Sequence, residues 1–250
     1  MIEVKNIYFA YKNKRCLSNI NLNFEKGKFY GIIGPNGSGK STLLKIISNN
    51  LKAVSGEILI NGKNVKDYKG KALAQTLSVM PQSRHKPDMT VFDFAACGRF
   101  PYKTFASRLN DGDIKTVSNA LAKTGLADFE NRNLKSLSGG ECQKVFLAQL
   151  LAQDTDYILC DEPTTFLDLS AEKEILNLLK KESETKCVVA VLHNLSFALK
   201  ICDKVAVLDS GTVAEFGTPE IIVKNKTIDK VFNTKCNAVL INGKKEYIFL

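Results

Sequence analysis

No apolar run in the 250-residue sequence approaches the roughly 20 residues that a membrane-crossing helix needs. Any work at a membrane must therefore pass through another chain. Residues 1–5 lack the basic stretch, apolar segment and small-residue cleavage site of an export signal. The seven cysteines, at 16, 97, 142, 160, 187, 202 and 236, contain no C-x-x-C pair. An odd, scattered set of this kind excludes a disulfide framework or a zinc site, fits a reducing cytosol, and reads as small core hydrophobes. There is no internal repeat, no low-complexity tract and no sustained heptad pattern. The formal charge of +9 would suit nucleic acid, but the lysines are spread along the chain without interleaved aromatics or an arginine-rich run. The expectation is a solvated basic surface with no nucleic-acid partner, attraction to an anionic inner leaflet being a second, weaker possibility.

What is present is an ordinary globular composition, 44% hydrophobic and 24% charged, in a chain that fits one large α/β domain. Residues 2–9 and 20–24 alternate apolar and polar, and residues 56–62 form a further strand closing on the Asn61-Gly62 turn. These predict an antiparallel β-layer. Residues 90–153 turn helical, with helices over 113–126, after Asp111-Gly112, and over 138–153, whose apolar positions 142, 145, 146 and 150 share one face. An inserted helical lobe over about 83–155 is expected. Strand 157–160, helix 170–181 and strand 188–192 then predict a parallel sheet with crossover helices. Hairpins are expected around Ser210-Gly211 and, in a tail of about 226–250, around Asn242-Gly243; Thr218-Pro219 reads as a helix start.

The chain is organised around Gly34-Pro35-Asn36-Gly37-Ser38-Gly39-Lys40-Ser41-Thr42. It matches G-x-x-x-x-G-K-[ST] between an apolar strand pattern (29–33) and a helical one (42–48), the context that this motif requires. Its glycines let successive N–H groups line an anion cradle at a helix N-terminus, where the dipole also favours negative charge. Lys40 would reach the β- and γ-phosphates, and Ser41 would offer its hydroxyl to Mg²⁺. Tyr11, before a polar turn, is open to two readings: an adenine-stacking ring or a residue packed at a strand end.

Asp161 and Glu162 end a buried strand, where unpaired carboxylates are costly and where α/β sheets bind ligands. In one reading Asp161 holds Mg²⁺ and Glu162 polarises the attacking water; in the other they cap the next turn. Leu137-Ser138-Gly139-Gly140-Glu141 can be a plain S-x-x-E capping box, yet two consecutive glycines weaken a first helical turn unless something must approach the backbone.

With Gln82 after Leu77–Met80, the Leu167-Asp168 element and His193 added in order, the chain resembles the ATP-binding subunits of ABC transporters along nearly its full length. The resemblance implies a P-loop NTPase with parallel core sheet, antiparallel β-subdomain and inserted α-helical subdomain, one domain over 1–250. It implies a head-to-tail dimer with ATP between the phosphate loop of one copy and the signature of the other. Ser138, Gly139, Gly140, Glu141 and Asp168 would then contact nucleotide in trans. Tyr11 would stack on adenine, Gln82 would touch Mg²⁺ and water, Glu162 would be the catalytic base and His193 would meet the γ-phosphate. His85, in a polar stretch, reads as solvent-exposed. Departures from the family pattern are Glu141 for Gln, Cys142 for Arg, Cys160 for an aliphatic residue, Phe166 for a small one and Asn194 for Asp, expected to affect rate more than activity.

Met80-Pro81-Gln82, Met89-Thr90-Val91 and Cys97-Gly98-Arg99-Phe100-Pro101-Tyr102 look like the ATPases of importers for ferric siderophores, haem and cobalamin. The G-R-x-P-Y run lies in the lobe that meets the permease in that family. What is implied is a peripheral subunit on the cytoplasmic face of the membrane, working with permease subunits and, indirectly, a substrate-binding protein. A soluble ABC ATPase acting on ribosomes or chromosomes is the alternative, though such proteins carry two ATPase halves or a long coiled coil. A GTPase or small-molecule kinase would leave the signature unexplained, and [NT]-K-x-D is missing.

Overall fold

The computed structural model describes residues 1–12, 14–82, 86–104, 107–165, 167–241 and 243–250. Strand β1 (Ile2–Tyr11) carries the expected alternation with one change of phase: Ile2 and Val4, then Ile7 and Phe9, point inward. The switch falls at Asn6, whose φ of 49° and the register shift against β2 (Lys14–Phe24) mark a bulge. Strand β3 (Lys28–Ile33) feeds the phosphate loop and helix α1 (Lys40–Ile47). Strands β4 (Ser55–Ile60) and β5 (Lys63–Asn64) close on Asn61 and Gly62, both at positive φ, and complete an antiparallel sheet of order β2-β1-β4-β5.

Helix α2 (Gly70–Thr76) and β6 (Leu77–Met80) precede the lobe helices α3 (Val91–Ala96), α4 (Asp111–Lys123) and α5 (Gly139–Ala152). The chain then alternates β7 (Tyr157–Asp161), α6 (Leu169–Glu182), β8 (Cys187–Val191), α7 (Leu195–Ile201) and β9 (Lys204–Asp209), with β10 (Thr212–Gly217) returning through Ser210-Gly211. The six-stranded sheet has the order β10-β9-β3-β8-β7-β6, parallel except for β10. Both of its faces are covered, so its strands read as continuous apolar runs. Tyr157, Leu159, Val189, Val191 and Leu208 enter one core with α1 and the antiparallel sheet. Their neighbours Ile158, Cys160, Val188, Ala190 and Val207 enter a second core with the helices. Helices α8 (Pro219–Lys224), starting at Pro219 as expected, and α9 (Thr227–Phe232) lead to a hairpin of β11 (Cys236–Ile241) and β12 (Lys244–Phe249). Asn242 of that turn lies outside the described residues, as do Ser83, Arg84, His85 and Phe166.

Three sequence expectations change. Helix α4 starts at Asp111, ahead of the expected 113, because Asn110 and Asp113 form a reciprocal capping box and Asp111-Gly112 becomes its first turn. Helix α5 buries Gln143, Leu147, Ala148 and Leu151 as well as Cys142, Val145 and Leu150, so it is a central helix and not a one-faced one. The G-R-x-P-Y run turns inward. Arg99 Nε donates to Asp113 Oδ1 at 3.0 Å, its Nη1 to Ala152 O at 2.9 Å, and its guanidinium stacks 4.1 Å from the Tyr102 ring centre. Tyr102 in turn donates to Gln153 O, and a Cβ on Gly98 would stand 2.4 Å from Gln149 O. The run staples α4 to the end of α5, and Phe100, 63% exposed, is its outward side chain. Five cysteines are buried as expected, while Cys16 and Cys97 are half-buried.

Candidate functional site

The carboxyl ends of β3, β6, β7 and β8 lie side by side, and the candidate residues follow directly after them. After β3 the loop must pass close to neighbouring backbone: a Cβ on Gly34 would sit 2.2 Å from Leu208 O. One on Gly39, which caps α1 at φ 100°, would sit 2.5 Å from Leu17 Cδ2. Lys40 folds over this loop, Nζ donating to Gly34 O at 2.8 Å and Pro35 O at 3.0 Å. Burial lowers its pKa against the opposing pull of Glu162 and Asp161. The Ser38 hydroxyl, on a residue 3% exposed, has no hydrogen-bond partner among the described residues. A buried hydroxyl left unpaired is costly and calls for an external partner. Phosphate oxygens fit that demand, beside an ammonium and a helix N-terminus.

Ser41 Oγ donates to Asp161 Oδ1 at 2.9 Å, joining loop and strand β7. Burial raises the Asp161 pKa, Glu162 adds to the rise, and the Ser41 bond opposes it. The adjacent Glu162 goes the other way. Burial pushes its carboxyl up, but hydrogen bonds from His193, Thr165 and Gln82 outweigh this and hold it below the ordinary value. His193 Nε2 is 2.6 Å from Glu162 Oε1 and Thr165 Oγ1 is 3.0 Å from Oε2. Glu162 also has φ 53°, a left-handed conformation that costs a non-glycine residue about 1–2 kcal/mol. The chain thus holds a carboxylate at this point in a strained backbone conformation, with donors fixing its orientation.

Lys40, Ser41 and Glu162 open on a cleft of about 380 Å³ that Tyr11, Cys16, Asn36, Gly37, Gly39, Thr42 and Gln82 also line. Tyr11 is 48% exposed, its ring meeting Phe9 edge-on at 4.8 Å and leaving a face open to the cleft wall it forms. Ser138, Gly139, Gly140, Glu141 and Asp168 do not line this cleft. Ser138 and Glu141 satisfy the capping box in full, with bonds of 3.2 and 2.8 Å, and Asp168 caps α6 through Ala171 N at 2.8 Å. The glycines are a different matter: a Cβ on Gly139 would meet nothing within 4 Å, and one on Gly140 only Leu167 Cδ2 at 3.6 Å. The chain itself does not need them.

Sequence reasoning missed the supports of this turn. Thr164 Oγ1 donates to Glu172 Oε1 at 3.0 Å and Asn194 Nδ2 to Glu172 Oε2 at 3.3 Å. Asn194 also caps α7, so the amide does two jobs of which an aspartate could do only the capping one. Buried Gln143 donates from α5 to Pro163 O. Hydroxyls at 164 and 165 directly after the carboxylates were the available signal.

The family model described as "ABC transporter" matches residues 17–165. The petrobactin import ATP-binding protein FpuD of Bacillus anthracis is 36% identical over 94% of this chain and 87% of its own length. The iron(3+)-hydroxamate import ATP-binding protein FhuC of Bacillus subtilis is 34% identical over 95% and 90%. Among solved structures, the dimeric post-hydrolysis state of the ATP-binding cassette MJ0796 bound to ADP and Pi is 29% identical at a TM-score of 0.76, covering 88% of this chain and 99% of that one. A phosphate cradle facing an ionised glutamate, on a fold and sequence shared with these proteins along most of their length, makes this chain a member of the ABC transporter family, one of its ATP-binding, ATP-hydrolysing subunits.

Proposed function

We propose that the protein powers uptake of an iron chelate of the siderophore kind through separate permease subunits, from the cytoplasmic face of the membrane. The similarity to petrobactin and iron-hydroxamate import subunits supports the cargo class. Nothing in the site or in these relatives favours the soluble alternative. In this reading the backbone N–H groups of Gly34 and residues 36–39, with Pro35 shaping the loop between them, join Ser38 and Lys40 in binding the phosphates, Thr42 lines the cleft, and Tyr11 stacks on the adenine. Ser41, Gln82 and Asp161 hold Mg²⁺. The donor set suits that ion, which takes few protein ligands beside water and phosphate oxygens. Among the described residues no group of three or more His, Cys, Asp or Glu forms an all-protein cage. Mg²⁺, when bound, neutralises charge on the phosphate oxygens.

Glu162 takes the proton of the attacking water, and His193, half-exposed beside it, contacts the γ-phosphate. Ser138, Gly139, Gly140 and Glu141, with Asp168, belong to the other half of the site. They complete it for the nucleotide of a second copy, which the dimeric MJ0796 cassette supports as an arrangement. The observation that carries the reading is the strained Glu162 lining one cleft with the desolvated Lys40, beside a loop in which the buried Ser38 hydroxyl has no hydrogen-bond partner among the described residues. Glu162→Gln is expected to keep ATP binding, stop turnover and accumulate an ATP-bound dimer on gel filtration. Undiminished hydrolysis would remove the base assignment. Co-purification with a permease whose ATPase rate rises with a ferric siderophore tests the cargo class.

A further inference from the structure

Helix α5 has its N-terminus at the exposed Ser138, on the surface that the two-copy reading assigns to the other molecule's nucleotide. In its second turn sits Gln143, which is buried and donates from Nε2 to the carbonyl of Pro163. Pro163 directly follows Glu162 and is itself buried. A proline has no N–H, so that carbonyl is its one backbone hydrogen-bonding group, and Gln143 satisfies it.

The turn needs such support. Glu162 at φ 53° is held in a conformation that persists only where the surroundings over-determine it. Core elements supply some of the restraint: His193 and Thr165 grip the Glu162 carboxylate, and Thr164 is tied to Glu172 of α6. Gln143 adds a restraint from the helical lobe. The same helix therefore carries the candidate trans contact at its start and, five residues on, a hydrogen bond to the turn that aims this chain's own glutamate.

We propose that Gln143 is a positioning residue for hydrolysis: it ties the Glu162 turn to α5, so that the reach of this carboxylate follows the placement of the helix that meets the second copy. The proposal rests on Glu162 being the base.

Gln143→Met and Gln143→Leu keep a side chain of similar bulk and remove the donor. In the full-length protein each is expected to lower kcat about tenfold while KM for MgATP and the binding of a fluorescent ATP analogue stay within about twofold, because the phosphate loop is untouched. A merely structural role would move the melting temperature and lower kcat and binding together, and that result overturns the proposal. So does a kcat within about twofold of the parent in a folded variant. If Gln143→Met does not fold, Gln143→Leu carries the test. Combined with Glu162→Gln, either substitution is expected to slow the residual rate no further, since Gln143 acts through Glu162. A further multiplicative loss means independent action and overturns it. If Glu162→Gln hydrolyses at the parental rate, the base reading falls and this proposal with it. If Glu162→Gln is inactive and the Gln143 variants are normal, this proposal alone falls.

Discussion

Replacing Gly139 with alanine separates what the chain needs for itself from what it offers to a partner. The added methyl meets no atom within 4 Å, and Gly139 is not at positive φ, so the folded chain takes it without strain. Alanine loses less backbone freedom on folding than glycine, by about 0.5–1 kcal/mol in a helix interior, and the lower figure suits a first turn. At about 2–4 °C per kcal/mol for a chain of this size, the melting temperature is expected to rise by about 1–2 °C. Hydrolysis is expected to move the other way. If the amides of 139 and 140 come within a hydrogen bond, about 2.9 Å, of a phosphate oxygen held by a second copy, a methyl stands in that approach. The loss should be about tenfold or more at saturating MgATP. Thermal melts, nucleotide binding by the dilute chain and steady-state ATPase assays on one preparation give all three numbers. A stabilised variant with parental hydrolysis would show that the glycine serves no partner. A destabilised one would show that the local reasoning about α5 is wrong.

Ser138→Arg is expected to abolish hydrolysis while the dilute chain binds nucleotide normally; collapse of that binding would refute the trans role. Asp113 is held at a pKa of about 2, against an ordinary 3.8: burial opposes its charge, but Lys103, the Asn110 N–H and Arg99 prevail. A lowered folded pKa gives stability that is complete above about pH 4 and lost as pH falls towards 2. Asp113→Asn should cost about 3 kcal/mol at neutral pH by leaving Arg99 and Lys103 unpaired. In urea titrations the gap to the parent should close as pH falls from 5 to 2.5, and a constant gap would refute the account. In a Cys97→Ser background a maleimide is expected to label Cys16, and MgATP to slow the labelling, because Cys16 walls the cleft. The buried thiols are protected, burial pushing Cys187 up to about 12 and Cys236 to about 11. A labelling rate indifferent to MgATP would place the nucleotide elsewhere.

Where the physics is local, the sequence could be read directly. The Asn61-Gly62 and Ser210-Gly211 turns need positive φ at both residues, and the strands on either side follow from period-2 alternation. The positions of the phosphate loop, Asp161, Glu162, Gln82 and His193 at or just after strand ends were legible because the apolar strand runs before them could be read directly. What stayed hidden depends on partners remote in sequence. Arg99 finds Asp113 and Ala152 only once α4 and α5 pack together, so its role as an internal staple could not be read from the run itself. The burial of α5 on nearly every side comes from lying between lobe and core, which no one-dimensional period reports. The bulge at Asn6 shifts the phase of β1 by tertiary pairing alone.

Adjacent carboxylates with opposite pKa shifts define two roles from one dipeptide. Asp161 is deep and accepts from Ser41, and burial raises its pKa above the ordinary carboxylate value. Glu162, one residue on, is turned by its left-handed φ to where three donors converge, and it stays ionised. On the reading proposed above, the deep Asp161 would face the divalent ion and Glu162 would take the proton of water. The lobe then bears on the second role and not the first. Helix α5 is fixed near its start to Pro163 through Gln143 and to Glu174 of α6 through Lys144. At its far end it is fixed through Arg99 to Ala152 and through Gln153 to Ala74 and Leu77. A helix clamped at both ends cannot slide or tilt at its signature end without pulling on the turn that carries Glu162. On the reading proposed above, nucleotide binding at the loop and Asp161 would proceed in one chain, while Glu162 as base would respond to whatever meets Ser138.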